Sequence, residues 1–274
     1  TIRLLEAQAG VTLLHRSTRK LTLTEAGARC YPHCLRLLEA ASAASDSLLQ
    51  ARDAPSGELR VAAPVGFGAH IAPALAPVLA AWPQLRLRLL VDDAMIDLIG
   101  ERIDLAIRAG RLPDSRWIAR PLCQFEMILC AAPAYLARHS VPETPQALED
   151  HAWLTSTRDG VDAADGPATM ALDLHRTDAN ADVQLQVHAR IVSNNQLSLH
   201  QMCEQGMGLA RLGHPDAHAA IERGALVRVL PQWQSAPLLV SAMTPRRDGD
   251  PAKVRVALEA LRRHFTALPG TRPA

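Results

Sequence analysis

The chain has 274 residues, 48% apolar and 21% charged, with a formal net charge of +1. That length holds two modest domains and an appendage around a sizeable core. The near-zero overall charge says nothing about partners, and with no apolar run of about 18 residues and no signal-peptide pattern, the sequence predicts a cytoplasmic protein with no membrane partner.

Charge is unevenly spread. Through residue 36 the basic residues are Arg3, Arg16, Arg19, Lys20, Arg29 and Arg36, against only Glu6 and Glu25. A local basic excess among hydroxyl side chains suits phosphate contact, although a solvated face has the same composition. The five cysteines, Cys30, Cys34, Cys123, Cys130 and Cys203, are odd in number and lack CxxC spacing, which predicts reduced thiols. Cys30, His33 and Cys34 can share a helical face, but further ligands at metal-site spacing are missing.

In chain order, "IRLLEAQA" (2–9) has helical spacing and Gly10 stops it. "VTLLHRSTRKLTLT" reads as a connection and a two-stranded hairpin around Ser17 to Lys20. A long helix runs from Glu25 to about Arg52, with Pro32 expected to kink it or limit its first turns. Along it Tyr31, Cys34, Leu38, Ala41, Ser45 and Leu48 alternate at steps of three and four, a stripe suited to pairing with a second copy or packing on the parent chain. "RDAPSG" (52–57) is the clearest linker. Beyond it come "LRVAA", a helix from Ile71 to Trp82 closed by Pro83, and "LRLRLLV", "DLAIRAG" and "FEMILCAAP". This is α/β grammar, read as helices crossing between largely parallel strands. From about 160 the text turns polar, then resumes with the strand "VQLQVHARIV", a helix from Asn194 to about Gln205, the strands "MGLARL", "LVRVL" and "PLLVSAMT", and the amphipathic "KVRVALEALRRHF". Two α/β lobes with a late return of the chain fit this order, with a ligand cleft between them.

The turn "APVGFGAHIAP" runs from a strand through Gly66 and Gly68 into a helix, leaving free backbone N–H groups for an anion. Arg108, ending "DLAIR", could add positive charge to the same cleft. Asp92 and Asp93 close a strand and read best as a turn cap or a ligand-contacting loop. There is no GxSxG, no HExxH and no nucleophile–base set; His151, His188, His200, His214 and His218 are scattered. No catalytic residue, metal or cofactor is expected.

"LLEAQAGVTLLHRSTRKLTLTEAG", the long helix, the Pro/Gly linker and "GELRVAAPVGFG" resemble the LysR-type transcriptional regulators, and "IDLAIRAGRLPDSRWIARPL", "ILCAAPAYLARH" and "GALVRVLPQW" continue the likeness over essentially the whole chain. The resemblance implies an α/β protein: a partial winged helix-turn-helix (1–24), a linker and dimerisation helix (25–53), and a two-lobed, periplasmic-binding-protein-like effector domain (58–268). It makes "HRSTRKLTLT" a wing, with Arg16, Ser17, Thr18 and Arg19 on DNA backbone and minor groove and Thr24 starting the linker helix; Thr1 and Arg3 fall near the DNA on the remainder of a recognition helix. It implies that the sequence opens within that helix and, as written, binds DNA poorly. Effector contacts carry over to Val65, Gly66, Phe67, Asp92, Arg108, Ser193, Asn194 and Asn195. Departures are Gly66 where a hydroxyl is frequent, Arg102 where a Gly is usual before "IDLAIR", and Arg211, Gly213 and His214 in "GLARLGHPD".

The implied function is a regulator of double-stranded DNA, dimeric or tetrameric, responding to a small molecule, with an organic anion suggested by the N–H groups and the Arg. The alternatives are a stand-alone solute-binding protein, an enzyme on the same two-lobed fold, or a gene remnant.

Overall fold

The computed structural model describes residues 2–16, 21–94, 96–110, 117–159, 168–176, 178–179, 181–245 and 250–274, apart from the side chains of 16 and 43–53. The chain divides into two compact units, Thr1–Ala54 and Pro55–Ala274.

In the first unit, helix α1 (Ile2–Ala9) leads to the hairpin β1 (Leu14–Arg16) and β2 (Leu21–Leu23), paired Leu14 with Leu23, His15 with Thr22 and Arg16 with Leu21. The turn expected at Ser17 to Lys20 lies outside the described residues. The Glu6 carboxylate accepts the Leu13 and Leu14 N–H groups at 2.8 and 3.0 Å, tying α1 to the hairpin. Thr24 Oγ1 accepts the Gly27 N–H at 3.0 Å and donates to the Thr12 carbonyl at 2.7 Å, an N-cap for α2 (Glu25–Asp53). The helix runs without a break through Pro32. Tyr31, Cys34, Leu38 and Ala41 of its stripe are exposed; Ser45 and Leu48 have side chains outside the description.

The second unit alternates strands and helices: β3 (Gly57–Ala63), α3 (Gly68–Ala81), β4 (Leu85–Val91), β5 (Leu105–Ala109), β6 (Trp117–Ala131), α4 (Pro133–His139), β7 (Trp153–Ser156), β8 (Thr169–Arg176), β9 (Ala181–Ser193), α5 (Gln196–Glu204), β10 (Leu209–Gly213), α6 (His214–Glu222), β11 (Val227–Val229), β12 (Trp233–Pro245), α7 (Ala252–Ala267) and β13 (Thr271–Arg272). The expected predominance of parallel strands is corrected. Among the described residues only β3–β4, β3–β5, β7–β9 and β7–β10 are parallel, because β6 and β12 run back through the fold and every ladder they make there is antiparallel.

Those two strands also join the lobes. β6 pairs with β12 from Trp117 to Met127, then with β10 and β11 from Met127 to Ala131. β12 starts on β8 at Trp233 and Gln234, meets β6 at Ser235, and runs on along β6 and β5 after a register shift between Ser235 and Leu238. Lobe one packs α3 and α7 on its sheet through Ile71, Leu75, Phe125, Leu261 and Phe265. Lobe two has a core on each face, one around Tyr135, Leu148 and Trp153, the other around Ile128, Leu199 and Leu212. Trp153 is fully buried and its indole N–H donates to the Leu148 carbonyl at 2.8 Å, so its polar end carries no desolvation penalty.

Arg102, flagged as replacing a glycine, adopts φ +51 at an exposed site. A side chain in this left-handed region costs about 1–2 kcal/mol, against about 0.5–1 kcal/mol for glycine's extra unfolded freedom. Arg102→Gly should therefore raise stability by up to about 1 kcal/mol, seen as a higher urea midpoint; a lower midpoint would refute the strain. A second expectation concerns pH. Burial, and next the His139 charge, pushes His151 below its ordinary 6.5, and burial, then His70, does the same to His264. The unfolded chain then binds protons more readily, so this stability is full above about pH 6.5 and is lost as pH falls towards the folded values. Urea midpoints measured at about pH 7.5 and 5.5 should fall with acid, and by less in His151→Gln.

Candidate functional site

The β3–α3 turn, the end of β4, the start of α5 and the start of α6 converge on a cleft of about 760 Å³ with walls from both lobes. The turn needs a residue that tolerates φ +97, and Gly66 supplies it. Without a Cβ there, the main chain itself forms the wall, and among the described residues the Gly66 N–H has no hydrogen-bond partner. Phe67, 8% exposed, presents one edge to the cleft while stacking on Phe125 and Phe265 at 6.0 and 6.1 Å in the core.

Asp93 links the lobes. One carboxylate oxygen accepts the Val65 N–H at 3.2 Å and the other accepts the Asn195 side-chain amide at 2.6 Å, while its main-chain carbonyl accepts the Arg158 guanidinium. Asn195 in turn caps α5, its side-chain oxygen accepting the Ser198 N–H at 2.7 Å. A second link joins His70 of α3 to Asp216 of α6 at 2.6 Å, with His70 only 6% exposed and packed edge-on against Phe67 and Phe125. On the lobe-two side Arg211 pairs with Asp159. Each carboxylate of the cleft wall is thus engaged by a donor of the protein.

Arg108 stands apart. It does not line the cleft, yet one of its terminal nitrogens is buried without a hydrogen-bond partner among the described residues. Burial, and next the charge of Arg158, push its guanidinium below the ordinary value, with Asp92 acting against them. A desolvated cation beside a second cation is a site that an anion relieves.

Of the residues expected at the effector, Val65, Gly66, Phe67 and Asn194 line this cleft. Asp92 does not; its side chain caps its own turn through the Ala94 N–H at 2.8 Å, and Asp93 takes the place on the wall. Ser193 accepts the Asn195 N–H at 3.1 Å, and Ser193 and Asn195 support the wall from behind. The residues placed near DNA are less visible: Thr1 and Ser17, Thr18 and Arg19 lie outside the described residues, as does the Arg16 side chain. Arg3 is exposed on α1, and the Thr24 hydroxyl is engaged in its cap. The sequence reading missed His70, Arg158, Asp159 and Asp216. Asp216 had a legible signal, the Gly-His-Pro-Asp run that opens α6 with Gly213 as N-cap and a proline in the first turn.

The architecture, two α/β lobes on two through-strands with a cleft between, is that of periplasmic-binding-protein-like effector domains. Residues 52–266 match the family described as LysR substrate binding domain, and the chain belongs to the LysR family of transcriptional regulators. It is 36% identical to the HTH-type transcriptional regulator DmlR of Escherichia coli (strain K12), over 96% of this chain and 83% of that protein. Among solved structures it is similar to the full-length Vibrio cholerae virulence activator AphB, at 27% identity and TM-score 0.64 over 95% of this chain and 86% of that one. CrgA of Neisseria meningitidis gives 28% and 0.64, over 96% and 86%.

The His70–Asp216 contact yields a test. Asp216→Asn leaves a buried imidazole with a weaker partner and should cost about 1–3 kcal/mol, read as a urea midpoint shift. Combined with His70→Phe the losses should fall short of additive; strict additivity would mean that the two side chains do not interact.

Proposed function

We propose that the chain is a cytoplasmic, DNA-binding LysR-type regulator whose effector is a small organic anion held in the interlobe cleft. The observations that carry the anion are the free Gly66 N–H and the Arg158 guanidinium on the wall, with Arg108, whose buried nitrogen has no partner among the described residues, adding positive charge from outside the lining. Because each wall carboxylate already has a donor, an incoming carboxylate meets unspent donors and no free like charge. An effector that binds one lobe arrangement better than another shifts the equilibrium between them. Linked through α2 to the winged hairpin, in a dimer or dimer of dimers, that shift alters affinity for operator DNA by the same factor that DNA alters affinity for effector. Support for the DNA-binding half is family membership and the basic excess before residue 36.

Titration calorimetry with small mono- and dicarboxylates, each beside its amide, tests this reading. The acids should bind in preference, and Arg108→Gln should weaken them by up to about 10-fold, the loss of a nearby charge that makes no direct contact. Amides binding as well as acids, or an Arg108→Gln variant with unchanged affinity, would remove the anion. Separately, Arg16→Ala should weaken binding to DNA flanking the gene without changing sequence preference, and reduce the salt slope by about one.

A further inference from the structure

Helix α2 carries a feature the cleft does not use. The Cys30 and Cys34 thiols lie 3.7 Å apart on one helical face, Cys34 exposed and Cys30 half-buried, and both are free. The pair differs in kind from the other three cysteines. Cys123, Cys130 and Cys203 are fully buried, and burial pushes each of those thiols up to about 12, where they stay protonated and inert.

Three geometries compete for two such thiols. A disulfide needs Cβ atoms about 3.5–4.5 Å apart, whereas side chains one helical turn apart hold theirs at about 5–6 Å. The helix therefore opposes direct S–S closure. A linear two-coordinate ion with bonds of about 2.3 Å would need the sulfurs about 4.6 Å apart, but a tetrahedral centre with the same bonds sets them at about 3.8 Å. The observed 3.7 Å fits a bent, soft centre inserted between the sulfurs. A full metal shell is not at hand: among the described residues no group of three or more His, Cys, Asp or Glu could hold an ion, and the nearby His33 ring nitrogen faces Arg36 at 2.9 Å. The centre must accept two sulfurs from the protein and bring its remaining substituent with it.

We propose that Cys30 and Cys34 form a dithiol site for trivalent arsenicals carrying one organic substituent. Two thiols displace the oxygen of such an arsenical: two As–S bonds form, the As–O bonding is lost, and the two thiol protons leave with the oxygen as one water. Arsenic stays trivalent and no oxidant is consumed. The hydrogen bond between the two sulfurs holds the Cys30 thiol above its ordinary pKa, so Cys30 brings its own proton to the exchange with the arsenical. Cys34 also belongs to the exposed Tyr31, Cys34, Leu38, Ala41 stripe, so the adduct adds bulk on the face with which α2 would meet a second copy.

The probe is phenylarsine oxide, mixed at equimolar ratio with the full reduced chain and followed by intact-mass spectrometry. One adduct per chain is expected, stable to a large excess of a monothiol and removed by 2,3-dimercaptopropanol. Cys30→Ser and Cys34→Ser should each lower retention by about 100-fold or more, because the second As–S bond is then no longer intramolecular. Absence of an adduct on the wild-type chain overturns the proposal. So does an adduct retained equally by either variant, which would place it on a single thiol or on the buried cysteines. Neither cysteine is buried, and an unchanged helical circular-dichroism signal confirms that loss of retention is loss of sulfur.

Discussion

Two strands hold the effector unit together, and both contain a proline. β6 and β12 exchange hydrogen bonds with each other through lobe one, and each then contributes its other end to lobe two. Pro121 of β6 and Pro237 of β12 cannot donate to a ladder, and each sits at a register shift: one between Val240 and Ser241, opposite Cys123 and Pro121, the other between Ser235 and Leu238. The ladder is therefore broken where it would otherwise be stiff, and the second break lies where β12 passes from one lobe to the other. The Asp93 and His70–Asp216 links then cross the open side of the cleft, opposite a strand connection that can bend.

This arrangement separates two kinds of energy. Each lobe is held by its own apolar core, with Phe67, Phe125 and Phe265 stacked in one and Trp153 in the other. The lobes are held to one another across the cleft by a few polar contacts, each worth about 0.5–3 kcal/mol. A small ligand that supplies two or three comparable contacts is on the same scale as those links, which is the condition for it to bias lobe placement without unfolding either lobe.

How much of this was legible depended on whether local chemistry announced it. The turn at Gly66 was readable because a strand-to-helix transition demands a permissive residue, whereas the helix expected from Asn194 starts after its cap at Asn195. The length of β6 and β12 was not legible: the prolines cut each strand in the text, and the readable pieces are "FEMILCAAP", beyond Pro121, and "PLLVSAMT", which starts on Pro237. β8 was passed over although its burial alternates over "TMALDLHR", because it follows a polar stretch and its partner is the long β9. Asp92 was preferred to Asp93 on the wall, and sequence spacing could not separate them: adjacent residues at a strand end point to opposite sides, and only the fold decides which side is the cleft. His70 carried no local signal, since its partner is 146 residues away.

Phe67 serves two masters. The same ring that lines the cleft is a structural member of lobe one, stacked between α3, β6 and α7. A descendant that changed this residue to admit a different effector would disturb the lobe's foundation in the same step. On the opposite wall Leu197 is exposed and Arg211 half-buried, and both lie outside the buried cores. Divergence of ligand preference has a cheap route through lobe two and an expensive one through lobe one, so the two walls of one cleft are expected to evolve at different speeds.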